Sequence, residues 1–216
     1  MFPATKINRE GLPFVGGAFL TALGAWRLGR KRLALAASAT GLFLAYFFRD
    51  PYRRPPEDPS FILAPADGRV IEITRAYEEN FLKDYVFKVS IFMTVFDVHV
   101  NRAPVAGRVL SYIHRPGCFL AANKPKASQV NERAYLLLER DDGQRILTVQ
   151  VAGLLARRIV RWVREGQSLE AGERFGMIRF GSRLDVYFPT RAQILVREKE
   201  RVRAGKTPIA YLPIRD

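Results

Sequence analysis

The chain has 216 residues, enough for one domain with a real core and an added segment but too few for two large domains. Lys and Arg number 35 against 21 acidic residues, and the net charge of +14 calls for a polyanionic partner: nucleic acid, an anionic lipid surface or an acidic substrate. The single cysteine, Cys118, excludes an intrachain disulfide, no CxxC or Cys/His cluster is present to hold a metal, and the two histidines, His99 and His114, leave few acid–base candidates of that type.

The first fifty residues differ in composition from the rest. LPFVGGAFLTALGAW (Leu12 to Trp26) and LALAASATGLFLAYFF (Leu33 to Phe48) are charge-free and are separated by RLGRKR. Each falls short of the roughly 20 residues of an unstrained spanning helix. They predict a hydrophobic helical hairpin over residues 1–49 that enters the bilayer. A cleaved signal peptide has one apolar run with basic residues at its start, which does not match. The alternative is a buried helical hairpin of a soluble protein. Basic groups at both ends of the hairpin suit anionic headgroups and leave the orientation open.

DPYRRPPEDPS, residues 50–60, carries four prolines and reads as a linker. Beyond it, over 61–216, short β-prone runs follow one another: FILAP, GRVIEIT, YVFKVSIFMTVFDVHV, GRVLSYI, AYLLLER, RILTVQVAG, FGMIRFG, LDVYFP and AQILVRE. Turn signals such as ADG, DDGQ, REGQ and EAGE separate many of them. The expected fold is mainly β (α+β overall), an antiparallel β sandwich or barrel-like domain behind the helical hairpin. LLARRIVRWV fits a strand or a short helix equally. APADGRV (Ala64 to Val70) recurs as APVAGRV (Ala103 to Val109), by chance or as two related β hairpins. Asp67 of the first copy is Ala106 in the second, and an Asp before Gly is ordinary turn chemistry.

FMTVFDVHVNRAP places His99 in a strand that is apolar on both sides, a setting that suits a buried histidine bonded to the backbone as well as a catalyst. RFGSRLDVYFP (Arg179 to Pro189) alternates like a strand yet holds Gly181 and Ser182 in its middle, where glycine weakens a sheet. A serine Oγ can attack the carbonyl of the peptide bond before it, and a residue without Cβ at that carbonyl eases the approach. Elimination from the resulting ester leaves dehydroalanine, which hydrolyses to a pyruvoyl ketone able to condense with an amine and accept electrons. No GxSxG elbow, Walker loop, HExxH or dinucleotide fingerprint competes with this possibility.

PADG (Pro65 to Gly68), FDVHVNRAPVAG (Phe96 to Gly107), HRPGCFLAANKPKAS (His114 to Ser128), NER (Asn131 to Arg133), VAGLLARRIVRWV (Val151 to Val163) and MIRFGSRLDVYFP (Met177 to Pro189) together resemble the short prokaryotic form of phosphatidylserine decarboxylase. The resemblance implies a proenzyme that cuts itself between Gly181 and Ser182. The products are a β chain, 1–181, and an α chain, 182–216, which remain together as a heterodimer. Ser182 would become the covalent pyruvoyl cofactor, with Asp67 and His99 serving self-cleavage and no metal required. The amine of phosphatidylserine would form a Schiff base with the pyruvoyl group, CO₂ would leave, and His99 would return a proton to give phosphatidylethanolamine. Such an enzyme would sit on the cell membrane, facing the cytoplasm, with an anionic lipid surface as partner and no nucleic acid. Longer members of the family carry two histidines three residues apart in this segment, whereas here His99 is followed at that spacing by Arg102. Two other readings use some of the same features. EGQSLEAGERFG suggests a membrane-tethered lipoyl- or biotinyl-like carrier, but neither repeat has a lysine at its turn. A basic nucleic-acid-binding domain would use the charge but lacks a motif.

Overall fold

Pro13 in the opening turn of one helix and Gly29, at φ +72°, between that helix and the next set the geometry of the N-terminal hairpin. The computed structural model describes residues 5–118, 120, 130–153, 158–179 and 182–215. The chain divides into two units, Met1–Tyr52 and Arg53–Asp216. In the first, β1 (Lys6–Ile7) precedes α1 (Leu12–Arg27) and α2 (Lys31–Phe47), and β2 (Arg49–Asp50) returns antiparallel to β1 with Lys6 opposite Asp50. Small residues let the helices approach: a Cβ at Gly41 of α2 would meet the Phe19 ring of α1 at 3.1 Å. Phe14, Leu20, Leu23 and Trp26 of α1 and Leu33, Leu35, Leu42 and Tyr46 of α2 are exposed. The pair thus offers more apolar surface than a water-facing hairpin tolerates. Among the described residues no helix is long and apolar enough to cross a membrane. The 16 residues of α1 span about 24 Å against a hydrocarbon core of about 30 Å. Because α2 begins at Lys31, Lys31 and Arg32 join Arg27 and Arg30 at the hairpin turn.

The second unit is built from strands β3 (Phe61–Leu63), β4 (Gly68–Glu78), β5 (Asp84–Met93), β6 (Val100–Arg102), β7 (Gly107–Arg115), β8 (Arg133–Glu139) and β9 (Arg145–Ala152). It continues through β10 (Ile159–Arg161), β11 (Ser168–Leu169), β12 (Arg174–Ile178), β13 (Ser182–Pro189), β14 (Gln193–Ile194), β15 (Arg201–Val202) and β16 (Pro208–Tyr211). Eight of them form one antiparallel sheet in the order β11-β7-β8-β9-β13-β5-β4-β15, joined by two three-stranded sheets, β10-β12-β6 and β14-β16-β3. The mainly β, antiparallel architecture expected from the alternating runs is the one observed. Leu184, Val186 and Phe188 put one face of β13 into the main core, while Tyr187 on the other face joins Leu147 and Val149 in a smaller cluster.

The repeated APxxGRV segments are a structural duplication. Each glycine opens a long strand, and each strand is bulged at the same offset, between Val70 and Glu72 and between Val109 and Ser111. Val70 donates its N–H to Glu200 (2.9 Å) and accepts from Lys199 (2.7 Å); Val109 does the same with Gln167 and Gly166, both at 2.8 Å. The two copies also bind each other reciprocally, Leu63 N–H to the Pro104 carbonyl at 2.8 Å and Arg102 N–H to the Pro65 carbonyl at 2.9 Å. The eight-stranded order is accordingly a palindrome about β9 and β13, and Ser182 opens one of its two central strands.

One long run that reads as a single strand is broken. YVFKVSIFMTVFDVHV ends as β5 at Met93 and resumes as β6 at Val100, so His99 lies just outside a strand. The cause is Asp97, whose Oδ2 accepts from the Thr94 N–H at 2.8 Å and the Thr94 hydroxyl at 2.7 Å, closing a turn. FGMIRFG and LDVYFP, read as separate runs, supply β12, which ends at Ile178, and β13, which begins at Ser182, and the two belong to different sheets. Of LLARRIVRWV, Ile159–Arg161 is strand and residues 154–157 lie outside the described residues.

Candidate active site

Ser182 is held from both sides, opposite Met93 of β5 and Ala152 of β9. Its side chain is wholly buried, and its Oγ has no hydrogen-bond partner among the described residues. A buried hydroxyl without a partner costs about 1–3 kcal/mol. Thr148 Oγ1 and Asp185 Oδ2 of the same sheet share that state, and Ser182 differs from them in heading one of the two central strands, where its hydroxyl is available for chemistry. Gly181, the other half of the expected cleavage pair, lies outside the described residues.

His99 is also fully buried. Its Nδ1 lies 2.9 Å from the Asp97 carbonyl oxygen, which can only accept, so Nδ1 carries the proton of the neutral ring and the lone pair sits on Nε2. Asp97 is itself fixed by Thr94 and, through Oδ1, by Arg201 at 3.0 Å. The segment bearing His99 leaves β5 at Met93, the residue opposite Ser182. It returns beside β12, where Ile178 donates its N–H to the His99 carbonyl at 3.4 Å. Both ends of the histidine segment are thus tied to residues flanking Ser182 in the sheet or in the chain.

Asp67 does not meet His99. Its carboxylate is gripped by both terminal nitrogens of Arg53, with Nη2 to Oδ2 at 2.7 Å, and Oδ1 also accepts from the Ala204 N–H at 2.8 Å. Arg53 in turn donates to the Ala204 carbonyl at 2.7 Å. Among the described residues the Asp67 carboxylate is bound by Arg53 and Ala204, and the group at His99 Nδ1 is the Asp97 carbonyl. Asp67 nevertheless stands at the same end of the sheet: Gly68 follows it at φ +152°, and a Cβ there would overlap the Phe92 carbonyl oxygen. Phe92 is paired with Arg69 on one side and Arg183 on the other, so β4 is two strand spacings, about 10 Å, from β13. Arg102, at the position of the second family histidine, is buried with its guanidinium donating to the Gly172 carbonyl at 2.9 Å, between the two halves of the duplication.

Two polar groupings near Ser182 carried no signal in the sequence. Tyr112 donates its hydroxyl to Gln150 Oε1 (3.0 Å), Gln150 donates to Asn101 Oδ1 (2.8 Å), and Asn101 Nδ2 approaches the Met93 sulfur at 3.8 Å, all inside the core. On the other face of β13, buried Arg183 binds Asp185 (2.6 Å), Glu72 (2.7 Å) and the Ser90 hydroxyl (2.7 Å). Burial alone would raise the Glu72 carboxyl, but Lys88 and Arg183 outweigh it and hold the group below its ordinary range. Burial would likewise favour loss of the Arg183 proton, and Asp185 and Glu72 reverse that, locking the guanidinium in its charged form. Asp185 lies two residues from Arg183 on β13, but Glu72 comes from β4 and Ser90 and Lys88 from β5, so only the folded register could reveal the set.

A β-sheet core that buries a serine hydroxyl with no partner among the described residues, and anchors a buried imidazole on the segment that leaves the facing strand, has the build of a β-fold enzyme. Comparison with known proteins is specific about which. The family model of phosphatidylserine decarboxylase matches residues 40–210. A phosphatidylserine decarboxylase proenzyme of Syntrophus aciditrophicus is 48% identical over 204 residues, 94% of this chain and 96% of that protein. The proenzyme of Desulfotalea psychrophila is 44% identical over 211 residues, covering 97% and 98%, and that of Symbiobacterium thermophilum is 48% identical over 211 residues, covering 96% of each. The chain belongs to the phosphatidylserine decarboxylase family.

Proposed function

We propose that the protein is a proenzyme that cuts its own chain between Gly181 and Ser182 and then decarboxylates phosphatidylserine to phosphatidylethanolamine and CO₂. The observation that carries the reading is the buried, unpartnered Ser182 hydroxyl at the head of a central strand, in a chain of this family. His99 Nε2 takes the Oγ proton as Oγ attacks the Gly181 carbonyl carbon, replacing the peptide bond by an ester and leaving the Ser182 nitrogen as an amine. Loss of the Ser182 Cα proton then expels the Gly181 carboxylate, and water replaces the nitrogen, which leaves as ammonia. The residues fit the pyruvoyl group this produces: it needs no separate binding pocket, and β5 and β9 hold its carbon skeleton on both sides. That ketone supplies an electron sink that takes the substrate amine and accepts the electron pair left by CO₂. His99 holds the proton that is returned to the substrate Cα. Asp67, clamped by Arg53 and Ala204, keeps the end of β4 against Phe92 and so supports the row of Arg183, next to Ser182.

The cut would not separate the products. Strand β13 of the 182–216 chain pairs along its length with β5 and β9 of the 1–181 chain, and β15 and β16 pair with β4 and β3. A substrate that stays in the bilayer is reached through the apolar faces of α1 and α2. With four cations at its turn, the hairpin lies in the headgroup layer, on the cytoplasmic face of the cell membrane, rather than pushing that turn through the hydrocarbon. The test is the intact mass of purified protein together with release of CO₂ from phosphatidylserine vesicles. Two fragments, 1–181 and a carbonyl-reactive 182–216, are expected; active material consisting of one uncut chain would refute the reading.

A further inference from the structure

The polar chain from Asn101 through Gln150 to Tyr112 leads from Met93, opposite Ser182, to a cavity of about 320 Å³ between β7 and β10, lined by Tyr112, His114, Ile159 and Arg161. We infer that this cavity seats the phosphodiester of the lipid substrate and that Arg161 is the cation that holds it. The inference rests on the reading of the protein as a phosphatidylserine decarboxylase and adds a binding group to it.

Three observations carry it. The Arg161 guanidinium lies over the Tyr112 ring, 5.3 Å from its centre, and no carboxylate among the described residues pairs with it. Arg161 is a fork held by an aromatic face with its charge unspent, the form in which arginine binds phosphate. The other charged groups here are committed elsewhere: Glu132 Oε1 lies 3.1 Å from His114 Nε2, and Glu165 accepts from the Tyr112 N–H at 2.9 Å. Burial, with Glu132 adding to it, pushes the Tyr112 phenol well above its ordinary value against the pull of Arg161, so Tyr112 stays neutral and does not compete with an anion.

The cavity also opens on the correct side of the sheet. His114, Ala134, Gln150 and Leu184 form one row across β7, β8, β9 and β13, and Leu184 shares its face with Ser182 two residues before it. Glu132, whose carbonyl accepts from the Ala152 N–H at 2.9 Å, stands about two strand spacings, roughly 10 Å, from Ser182; His114 on β7 stands three, and the Tyr112 side chain beneath Arg161 crosses that difference to reach Gln150 of β9. In a serine phospholipid the phosphorus is four bonds from the amine nitrogen, about 5 Å. The long side chain of Arg161 covers the remainder.

The experiment uses the matured full-length enzyme and two water-soluble amines: glycerophosphoserine, and O-methylserine, which lacks the phosphate. Borohydride traps each on the 182–216 chain, and mass spectrometry gives the half-saturating concentration. Arg161→Gln is expected to raise that concentration about 10- to 100-fold for glycerophosphoserine and to leave it unchanged for O-methylserine. Arg161→Lys falls between, and Arg164→Gln, which removes the same charge outside the cavity, shifts neither. The fragment masses of each variant establish that it folds and matures. An Arg161→Gln enzyme that shifts neither amine, or both equally, overturns the assignment alone. A wild-type enzyme that traps neither amine overturns the decarboxylase reading, and the assignment with it.

Discussion

The Nδ1 atom of His99 lies 2.9 Å from the carbonyl oxygen of Asp97, within a turn that the Asp97 side chain itself closes on Thr94. A main-chain carbonyl fixes the tautomer as firmly as a carboxylate would, without adding a charge beside the ring. His99→Gln should therefore slow precursor cleavage by the 10²- to 10⁴-fold typical of losing a general base, about the same factor at every protein concentration because the step is intramolecular. Time courses on denaturing gels give the rate, and unchanged processing would remove His99 from maturation.

Ser182→Ala should leave the full 216-residue chain uncut and inactive. It should not weaken the fold. Removing a buried hydroxyl that has no partner relieves a desolvation cost of about 1–3 kcal/mol, so the variant should match or exceed the uncut His99→Gln precursor in denaturant midpoint. A marked loss of stability would mean that the Oγ has a partner in solution.

The Arg53–Asp67 pair separates structural from chemical roles. Both side chains are largely buried, so Asp67→Asn strands the Arg53 charge at a cost of about 3–5 kcal/mol. Replacing both, as Arg53→Met with Asp67→Leu, should restore most of that stability while cleavage remains slow. Fast cleavage in the double variant would make Asp67 dispensable.

The network behind β13 predicts an acid limb. Glu72 has its carboxyl held below the ordinary value of 4.5 by Lys88 and Arg183 against burial, so its contribution is complete above that pH and is lost as pH falls through the lower folded-state value. The difference in melting temperature between wild type and Glu72→Gln should be largest at neutral pH and shrink below about pH 4. A difference that is constant with pH would show that the loss is one of packing.

Gly68 is required by the backbone. A Cβ there runs into the Phe92 carbonyl oxygen of the neighbouring strand, a main-chain atom that cannot step aside. Gly68→Ala should reduce soluble yield and cleavage together, whereas Gly24→Ala, with nothing near its added methyl, should be tolerated. Equal behaviour of the two would contradict the strand register.

Much of this was legible before folding, and the reason is locality. Apolar runs of helical length marked α1 and α2, four prolines marked the stretch that holds the boundary between the two units, and period-two alternation with Gly and Asp turns marked an antiparallel β protein, because helix, turn and strand preferences act between near neighbours. The Gly181–Ser182 pair was an anomaly in pattern, and its resemblance to a self-cleaving family supplied a chemistry. Tertiary structure decided what depends on residues far apart in the chain. Asp97 breaks a run that reads as one continuous strand, and Ser182 begins a strand in a different sheet from Met177. Asp67 answers to Arg53 and Ala204 rather than to His99. Arg161 meets Tyr112 only because β7 and β10 border one cavity. Hydrogen bonds and ion pairs act over a few ångströms in space, and the packed sheet determines which distant residues come within that range.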